Sequence, residues 1–420
     1  MGVAQKNAGQ CRPVTIELTP DPRVDHSPQM TPIERRASGS LSLIFALRML
    51  GLFLVLPVFA LEARRYPGGE DPALIGLAMG VYGLTQGLLQ IPFGIASDRF
   101  GRKRVIALGL AVFALGSLWA GLADSLTGLI IGRALQGAGA VSAAVTALLA
   151  DLTRDVVRTK AMALVGSSIG LMFAFSLVLS PWLASWIGLS GLFLLTAVLA
   201  VGGIAVIYGW APAEPALHKD AGRGGLRRVL ADPQLLRLNV GVFVLHAVQL
   251  GMWVAVPAFL VQAGLPSAAH WHVYLPAVLA SFLVMGAVLF PLERRGHLRA
   301  VFLGSIALIA GVQLVLLWVS SGAPSVMALS VLLFVFFCGF NVLEATQPSL
   351  ASRLAPAAVR GTAMGVYNTL QSLGFFCGGW VGGKLVKQHG TQGLFVTCTL
   401  LMLLWLVVAW PMRTPGRQPR

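Results

Sequence analysis

The stretch FGIASDRFGRKRV, residues 93–105, places five charged side chains within seven positions: Asp98, Arg99, Arg102, Lys103 and Arg104. Long apolar stretches flank it on both sides, and the whole chain of 420 residues is 56% hydrophobic and 11% charged. A water-soluble domain carries about a quarter charged residues, because its surface must be solvated. We therefore expect this chain to lie in lipid, with the charged stretch as a short loop between two membrane spans.

Twelve apolar windows surround that loop, each long enough to cross a bilayer at about 20 residues per crossing. Unsatisfied backbone groups are costly in lipid, so each window is predicted to be a helix. The windows cover residues 40–61, 72–97, 105–123, 126–150, 161–187, 191–210, 238–261, 271–292, 300–320, 324–349, 361–385 and 394–410.

A polar stretch, residues 211–237, divides the twelve spans into two sets of six. Its proline, glycine and arginine content predicts a cytoplasmic linker, with a surface helix over residues 226–231. The predicted domains are a cytoplasmic, largely disordered tail (1–39), an N-terminal six-helix bundle (40–210), the linker, a C-terminal six-helix bundle (238–412) and a short cytoplasmic tail (413–420).

The distribution of positive charge orients the spans. Of the 31 Lys and Arg residues, four lie at the odd-numbered connections, namely Arg64, Arg65, Lys384 and Lys387. Two more lie within spans, and the remaining 25 lie in the tails and the even-numbered connections. Because cytoplasmic loops carry the excess of Lys and Arg, both termini are predicted to be cytoplasmic. The net charge of +15 is thereby explained by topology, and no nucleic-acid partner is expected.

The two sets of six spans resemble each other in sequence. SDRFGRKR (97–104) is similar to LERRGHLR (292–299), and RTKAM (158–162) is similar to RGTAM (360–364). The offsets are 195 and 202 residues, and both pairs occupy equivalent connections. This predicts a duplicated architecture.

The charged loop also resembles a known motif. It matches the G-x-x-x-D-R-x-G-R-R/K signature of the major facilitator superfamily at Gly94, Asp98, Arg99, Gly101, Arg102 and Lys103. The resemblance implies an all-α membrane protein with twelve transmembrane helices in two pseudo-symmetric six-helix bundles. It further implies transport by alternating access between the bundles.

Two further stretches narrow the resemblance. GRALQGAGA (132–140) is similar to the fourth-span motif of the drug:proton antiporter branch, although Ser180–Pro181 replaces the Gly-Pro pair usual in the fifth span. Residues 30–58 resemble YajR-type transporters, which implies a multi-pass protein of the bacterial inner membrane. Some transporters of that type carry a soluble C-terminal domain, which this sequence is expected to lack.

Four Arg, Lys, His, Asp or Glu residues lie well inside predicted spans, away from the span ends: Arg48, Arg133, His246 and Glu344. Such residues are costly in lipid and are candidates for function by default. They fall in spans one, four, seven and ten, which the superfamily resemblance places around the central cavity. Because imidazole titrates near neutral pH and burial raises a carboxyl pKa toward it, Glu344 and His246 are predicted to exchange protons. The alternative is a structural hydrogen-bonded pair.

The arginines and their surroundings carry further predictions. By resemblance, Arg133 tunes proton transfer or holds a helix–helix contact. Arg48 either pairs with a carboxylate substrate or is held by backbone carbonyls and hydroxyls. The candidates for lining the substrate cavity are Phe45, Gln136, Gln249, Trp253 and Asn341.

The charged loop is predicted to act as a cytoplasmic latch as well as a topological anchor. By the family's logic, Asp98 faces the N-terminal end of the eleventh span near Gly361, where a helix dipole favours a carboxylate. Arg102 is expected to pair with Asp151, at the end of the fourth span. The latch would close when the cavity opens outward.

The predicted function is proton-coupled export of a small amphipathic compound or drug by a monomer. The expected partners are the lipid bilayer, the substrate and protons, and the energy comes from the proton gradient without a cofactor. Four cysteines form no C-x-x-C pair and no metal site is indicated, nor is an enzyme. The alternatives are a proton-coupled symporter or facilitator for a metabolite, and a non-transporting sensor or scaffold on the same fold.

Overall fold

The computed structural model describes residues 29–214, 225–322, 324–356 and 359–412. Each regular element in these ranges is helical, as expected for a chain whose backbone must be satisfied within lipid. The α-helices are α1 (Pro32–Glu62), α2 (Pro72–Phe100), α3 (Arg102–Gly121), α4 (Leu126–Ala138), α5 (Ser142–Asp151), α6 (Asp155–Gly209), α7 (Gly225–Ala231), α8 (Pro233–Gln262), α9 (Trp271–Arg294), α10 (Leu298–Val319), α11 (Val326–Leu354) and α12 (Arg360–Ala409).

The first helix begins at Pro32, earlier than the predicted boundary at residue 40. A reciprocal cap determines this start, since the Glu34 N–H donates to Thr31 Oγ1 at 3.2 Å and the Thr31 N–H donates to Glu34 Oε2 at 2.8 Å. The tail therefore ends before residue 32. The disorder predicted for residues 1–28, like the tail 413–420, lies outside the described residues.

Two helices are too long for one membrane crossing. α6 has 55 residues and α12 has 50, whereas a bilayer core needs only about 20. Each is broken by one glycine with a left-handed backbone, Gly188 (φ 65°) and Gly390 (φ 66°). Ten helices in the described ranges are apolar and long enough to span a membrane. Dividing the two long ones at these glycines gives the twelve predicted segments, and twelve crossings remain the prediction of the sequence.

The same glycines support the predicted duplication. Gly188 and Gly390 are 202 positions apart, which is the offset between RTKAM and RGTAM. Gly101 and Gly296, aligned by the other offset, both have positive φ, 100° and 83°. Glycine adopts such angles without steric cost. The two halves therefore place their backbone breaks at matching positions.

The predicted fourth span is interrupted. Residues 126–150 were expected to form one helix, but α4 ends at Ala138 and α5 begins at Ser142. Gly139 lies against α3, where a Cβ would overlap the Gly109 carbonyl oxygen. The sequence pattern does not reveal this close contact, because Gly139 alone is compatible with a continuous helix. The linker helix predicted over residues 226–231 is confirmed as α7.

The helices form two bundles, α1–α6 and α8–α12, and large apolar side chains such as Leu283 and Trp318 are 76% and 78% exposed on the outside. The bundles meet mainly along α2 and the first arm of α12, residues 360–389, which we call the α2–α12 seam. Glycines allow the contact, since a Cβ at Gly76 would overlap the Gly379 carbonyl oxygen. The absence of side chains at these positions lets the two backbones pack directly against each other.

The seam is closed at one end. Close contacts extend from Gly383, against Pro72, to Gly87, whose added Cβ would lie 3.3 Å from the Thr369 carbonyl oxygen. Beyond it, no heavy atom lies within 4 Å of a Cβ built at Gly361, in the described part of the chain. In the orientation that the charge distribution predicts, the closed end faces the periplasm and the separated end faces the cytoplasm.

Candidate functional site

Three side chains from three helices meet inside the C-terminal bundle. His246 of α8 lies 3.3 Å from Glu344 of α11, measured from Nε2 to Oε2. Gln371 of α12 places its Nε2 2.8 Å from His246 Nε2 and 3.5 Å from Glu344 Oε1. The predicted proximity of His246 and Glu344 is present in the structure, and Gln371 bridges the pair.

The protonation of His246 follows from its hydrogen bonds. Nδ1 lies 2.8 Å from the Val242 carbonyl oxygen, which can only accept, so Nδ1 carries a hydrogen. In the neutral ring, Nε2 is then an acceptor for the Gln371 amide. Glu344 Oε2 has no donor among the described groups. Oε2 therefore faces an acceptor whose one lone pair already takes the Gln371 N–H, and a proton added between Nε2 and Oε2 would join the pair only by displacing that amide.

The surroundings of the pair are apolar on one side and open on the other. The His246 ring packs edge-on against Phe375, with centroids 4.8 Å apart, and against Phe340 at 6.2 Å. His246 is 2% exposed, whereas the Glu344 side chain is 38% exposed although its Oε2 is buried. Part of the Glu344 side chain is therefore accessible to solvent, whereas His246 is shielded from it.

Gln371 is a residue of the site that the sequence does not predict. The sequence signal was weak, because an uncharged amide within an apolar span has no strong default function. Its one pointer was its position in the glycine-rich eleventh span, on which Gly374 and Gly378 follow it at intervals of three and four.

Arg133 of α4 is enclosed in the N-terminal bundle. Its guanidinium donates to the carbonyl oxygens of Ala78 at 3.4 Å and Met79 at 3.3 Å, and to Gln136 Oε1 at 3.0 Å. The guanidinium carbon also lies 5.0 Å from the centroid of the Tyr82 ring. The geometry favours the helix–helix contact among the two predicted roles, since Arg133 ties α4 to α2.

Arg48 of α1 is 1% exposed and is held by neutral groups. It donates to the Tyr82 hydroxyl at 2.8 Å, to Gln86 Oε1 at 3.1 Å and to Ser142 Oγ at 3.2 Å. It also reaches the carbonyl oxygen of Gly139, at the break between α4 and α5, at 3.4 Å. This arrangement agrees with the second predicted role of Arg48, in which carbonyls and hydroxyls hold it. No acidic side chain in the described ranges pairs with it.

The five proposed cavity residues are all buried, none above 7% exposed. Phe45 packs within the N-terminal bundle, Gln136 donates to Ser117 Oγ at 2.7 Å, and Asn341 donates to Ser281 Oγ at 2.8 Å. Gln249 and Trp253 lie inside the C-terminal bundle. In this conformation none of them lies on an open surface. Helical periodicity groups residues on one face but does not tell whether that face points to the other bundle or into its own.

The charged loop forms a compact network at the cytoplasmic end. Arg102 contacts Asp98, pairs with Asp151 at 3.0 Å as predicted, and donates to Ser97 Oγ at 2.7 Å. Asp98 is 47% exposed and is paired within its own loop. Among the described groups, no hydrogen bond or ion pair joins Asp98 to the start of α12, as expected for the predicted latch in its open state.

The remaining motif residues shape and anchor the loop. Gly101 has φ 100°, and a Cβ there would lie 2.9 Å from Glu214 Oε1. Glu214, at the start of the linker, accepts the Lys103 backbone N–H at 3.0 Å, and Lys103 Nζ donates to the Ala211 carbonyl at 2.8 Å. Arg99 and Gly94 make less specific contacts. The Arg99 guanidinium carbon lies 5.4 Å from the Phe100 ring centroid, and a Cβ at Gly94 would make only ordinary van der Waals contact with Ala143. Charged residues are common in a polar linker, so the sequence carries no signal for this role of Glu214.

A cross-bundle ion pair lies at the opposite, closed end of the seam. Lys387 Nζ donates to Asp71 Oδ2 at 2.6 Å, while Asp71 Oδ1 caps α2 by accepting the Ala73 N–H at 2.9 Å. The Lys387 hydrogen bond holds the pKa of Asp71 below its ordinary value. The pair therefore stabilises the closed end at neutral pH and is lost only when the pH falls through that lowered pKa.

Removing this ion pair is expected to open the seam modestly. Because both groups are partly exposed, Lys387→Met should raise the population with a separated outer end by up to about fivefold, the equivalent of about 1 kcal/mol. Spin labels at the exposed positions Glu70 and Gln388 would measure the distance across that end. Lys384→Met is the matched control, since Lys384 lies 4.0 Å from the Trp380 ring and has no acidic partner in the described ranges. An unchanged distance distribution in Lys387→Met would contradict a stabilising role.

The chain is similar to known membrane transport proteins. The sequence model of the Major Facilitator Superfamily matches residues 41–378. The chain is 45% identical to the "Inner membrane transport protein YajR" of Escherichia coli (strain K12), over 92% of this chain and 85% of that protein. It is 27% identical to the "Multidrug resistance protein MdtH" of Aeromonas salmonicida (strain A449), over 84% of this chain and 88% of that protein. Among solved structures, the human organic anion transporter MFSD10 superposes with a TM-score of 0.66 at 19% identity, over 90% of this chain and all of that one.

Proposed function

The chain belongs to the Major Facilitator Superfamily and is a multi-pass transporter of the bacterial inner membrane, and from this premise we propose that it exports a small amphipathic compound in exchange for protons. The observation that carries the proposal is the facing of His246 Nε2 and Glu344 Oε2 at 3.3 Å with no donor between them. The buried Oε2 without a donor can take up an added proton, which suits proton coupling. The multidrug relatives support an amphipathic substrate.

The exchange would follow from the two ends of the seam. In the observed conformation the cytoplasmic end is separated, so Glu344 would release its proton to the cytoplasm and the substrate would enter there. The charged loop would then close on the start of α12, and the seam would open at the Asp71–Lys387 end. Glu344 would take a proton from outside as the substrate leaves. The proton and the substrate would thus cross the membrane in opposite directions in one cycle, which is antiport.

The structural alternative for the pair is less suited to the geometry. A purely structural pair would satisfy both partners permanently, as the Arg133 network does. Glu344 instead keeps one oxygen buried without a donor and part of its side chain exposed. The anion symporter alternative gains little support, since both terminal nitrogens of Arg48 donate to neutral groups of the chain and only its buried Nε–H is without an acceptor in the described structure.

Substrate-dependent proton movement tests this function. The purified protein, reconstituted with a pH-sensitive dye inside the liposomes, is challenged with ethidium and tetraphenylphosphonium as amphipathic probes. Antiport predicts proton movement opposite to the probe. Movement in the same direction would favour a symporter, and no movement with probes that bind in a thermal-shift assay would favour a sensor or scaffold.

A further inference from the structure

Gln86 of α2 bridges the two bundles at the middle of the seam. Its Nε2 donates to Ser372 Oγ of α12 at 3.1 Å, and its Oε1 accepts from Arg48 Nη2 at 3.1 Å. Gly83 and Gly87 lie on either side of it along α2, and a Cβ at Gly83 would overlap the Ser372 carbonyl oxygen. Because these glycines allow the two backbones to approach closely, the side chains of Gln86 and Ser372 come within hydrogen-bond distance.

On one side, Gln86 is attached to the interior of the N-terminal bundle. Arg48 is a buried cation whose partners are all neutral, so each acceptor matters more than it would in water. Gln86 supplies one of these acceptors, together with Tyr82 and Ser142. The orientation of the Gln86 amide is therefore determined by Arg48, and its N–H group is directed to the other bundle.

On the other side, Gln86 is attached next to the proposed proton site. Ser372 follows Gln371 directly, and consecutive residues of a helix point about 100° apart. Gln371 can thus contact His246 while Ser372 contacts α2. A rotation or shift of α12 that moves one of them moves the other.

Protonation of the pair acts on Gln371. As the amide is placed, its N–H donates to His246 Nε2, which requires that Nε2 carry no hydrogen. A proton on Nε2 would set two N–H groups against each other and force Gln371 to turn or withdraw. Among the described side chains, Tyr367 of α12 is a further titratable group that interacts with Glu344, and Arg48 and Tyr82 lie beyond Gln86.

We infer that Gln86 is a positioning residue that transmits the protonation state of the His246–Glu344 pair to the N-terminal bundle, through Gln371, Ser372 and Arg48. The inference rests on the proposed function, because it names how the proposed proton site acts on the seam. Gln86 touches neither the proton nor the substrate. Its function is to make the closure of the seam depend on protonation.

The test measures conformation rather than transport, so it needs no identified substrate. Spin labels replace Ile95 and Gly361, which are exposed at the cytoplasmic ends of α2 and α12, with the native cysteines changed to serine. The ratio of separated to closed populations is measured in lipid nanodiscs at about pH 6 and about pH 8, around the ordinary titration range of histidine. The variants are Gln86→Leu, Ser372→Ala and Glu344→Gln. Gln90→Leu is the matched control, since Gln90 lies one turn further along α2 and is buried without a hydrogen bond in the described structure.

The expected result is a pH-dependent ratio in the wild type and in Gln90→Leu, changing by at least about fivefold. Gln86→Leu should reduce that change to less than about twofold. Ser372→Ala should reduce the pH-dependent change by the same amount while leaving the contact between Gln86 and Arg48 in place. It therefore tests the inference even where Gln86→Leu fails to fold.

Two outcomes would overturn the inference. Gln86→Leu and Ser372→Ala could keep the full pH response, or they could shift the ratio equally at both pH values, as a merely structural contact would. Failure of the proposed function has a different signature, namely a wild type without a pH response or a Glu344→Gln variant that retains one. The two failures are thereby distinguished.

Discussion

Glu344→Gln is expected to reduce pH-gradient-driven export of ethidium to the level of protein-free liposomes. Glutamine keeps the size of the side chain and its hydrogen-bonding capacity, but it cannot take up or release a proton in the relevant pH range. The amide can donate to His246 Nε2 permanently, which would hold the pair in its proton-occupied form. The measurement compares accumulation with and without an imposed pH gradient, together with ethidium exchange at equal pH on both sides.

Exchange at equal pH separates coupling from damage. A transporter that has lost only its proton site should still exchange ethidium across the membrane, because the seam and the loop are untouched. Glu62→Gln is the matched control for the same substitution, since Glu62 pairs with Arg65 at the end of α1, at 2.9 Å. Glu344→Gln vesicles that accumulate ethidium at the wild-type rate under a pH gradient would refute the assignment of Glu344.

The second large effect is expected at the seam, where Gly80→Leu should block transport. A Cβ at Gly80 would lie 2.6 Å from the Phe376 carbonyl oxygen and 3.1 Å from its Cα, both on the backbone of α12. Backbone atoms cannot turn aside as a flexible side chain can, so the two helices must separate. Overpacking of this kind costs about 1–3 kcal/mol. The conformation with a closed outer end should become rare, and the transport cycle should stop.

The labels at Glu70 and Gln388 provide the direct measurement, with a longer distance expected in Gly80→Leu. Gly311→Leu is the matched control in α10, since no heavy atom of the described structure lies within 4 Å of a Cβ at that position. Both variants should elute as folded protein, because separation of the bundles leaves each bundle core intact. A wild-type distance and wild-type transport in Gly80→Leu would show that the seam tolerates separation.

Much of the architecture could be predicted from composition and pattern. The apolar windows predict the helices, the charge distribution predicts their orientation, and the aligned loop motifs predict the duplication that Gly188 and Gly390 support. The predicted pair of Glu344 and His246 could be found because an ionisable side chain in lipid is rare and costly. Each of these signals is contained in the sequence alone and does not depend on which helices are in contact.

The features that the sequence did not predict have a common cause. Gln371 and Gln86 are uncharged and carry no default meaning within a span, and Glu214 and Asp71 are charges in loops where charge is ordinary. The break at Gly139 depends on the approach of Gly109 from another helix. In each case the function depends on a partner that is distant in the chain, as with the 286 positions between Gln86 and Ser372.

The sequence by itself therefore determined the class of protein, predicted the course of the chain through the membrane and identified the residues whose burial needs an explanation. The tertiary structure decided which faces meet, which end of the seam is closed, and that an amide stands between the His246–Glu344 pair and the other bundle. The physical reason is that lipid acts on each helix separately through its composition. The contacts between helices depend instead on glycine spacing and hydrogen-bond geometry across the seam, which no single helix contains.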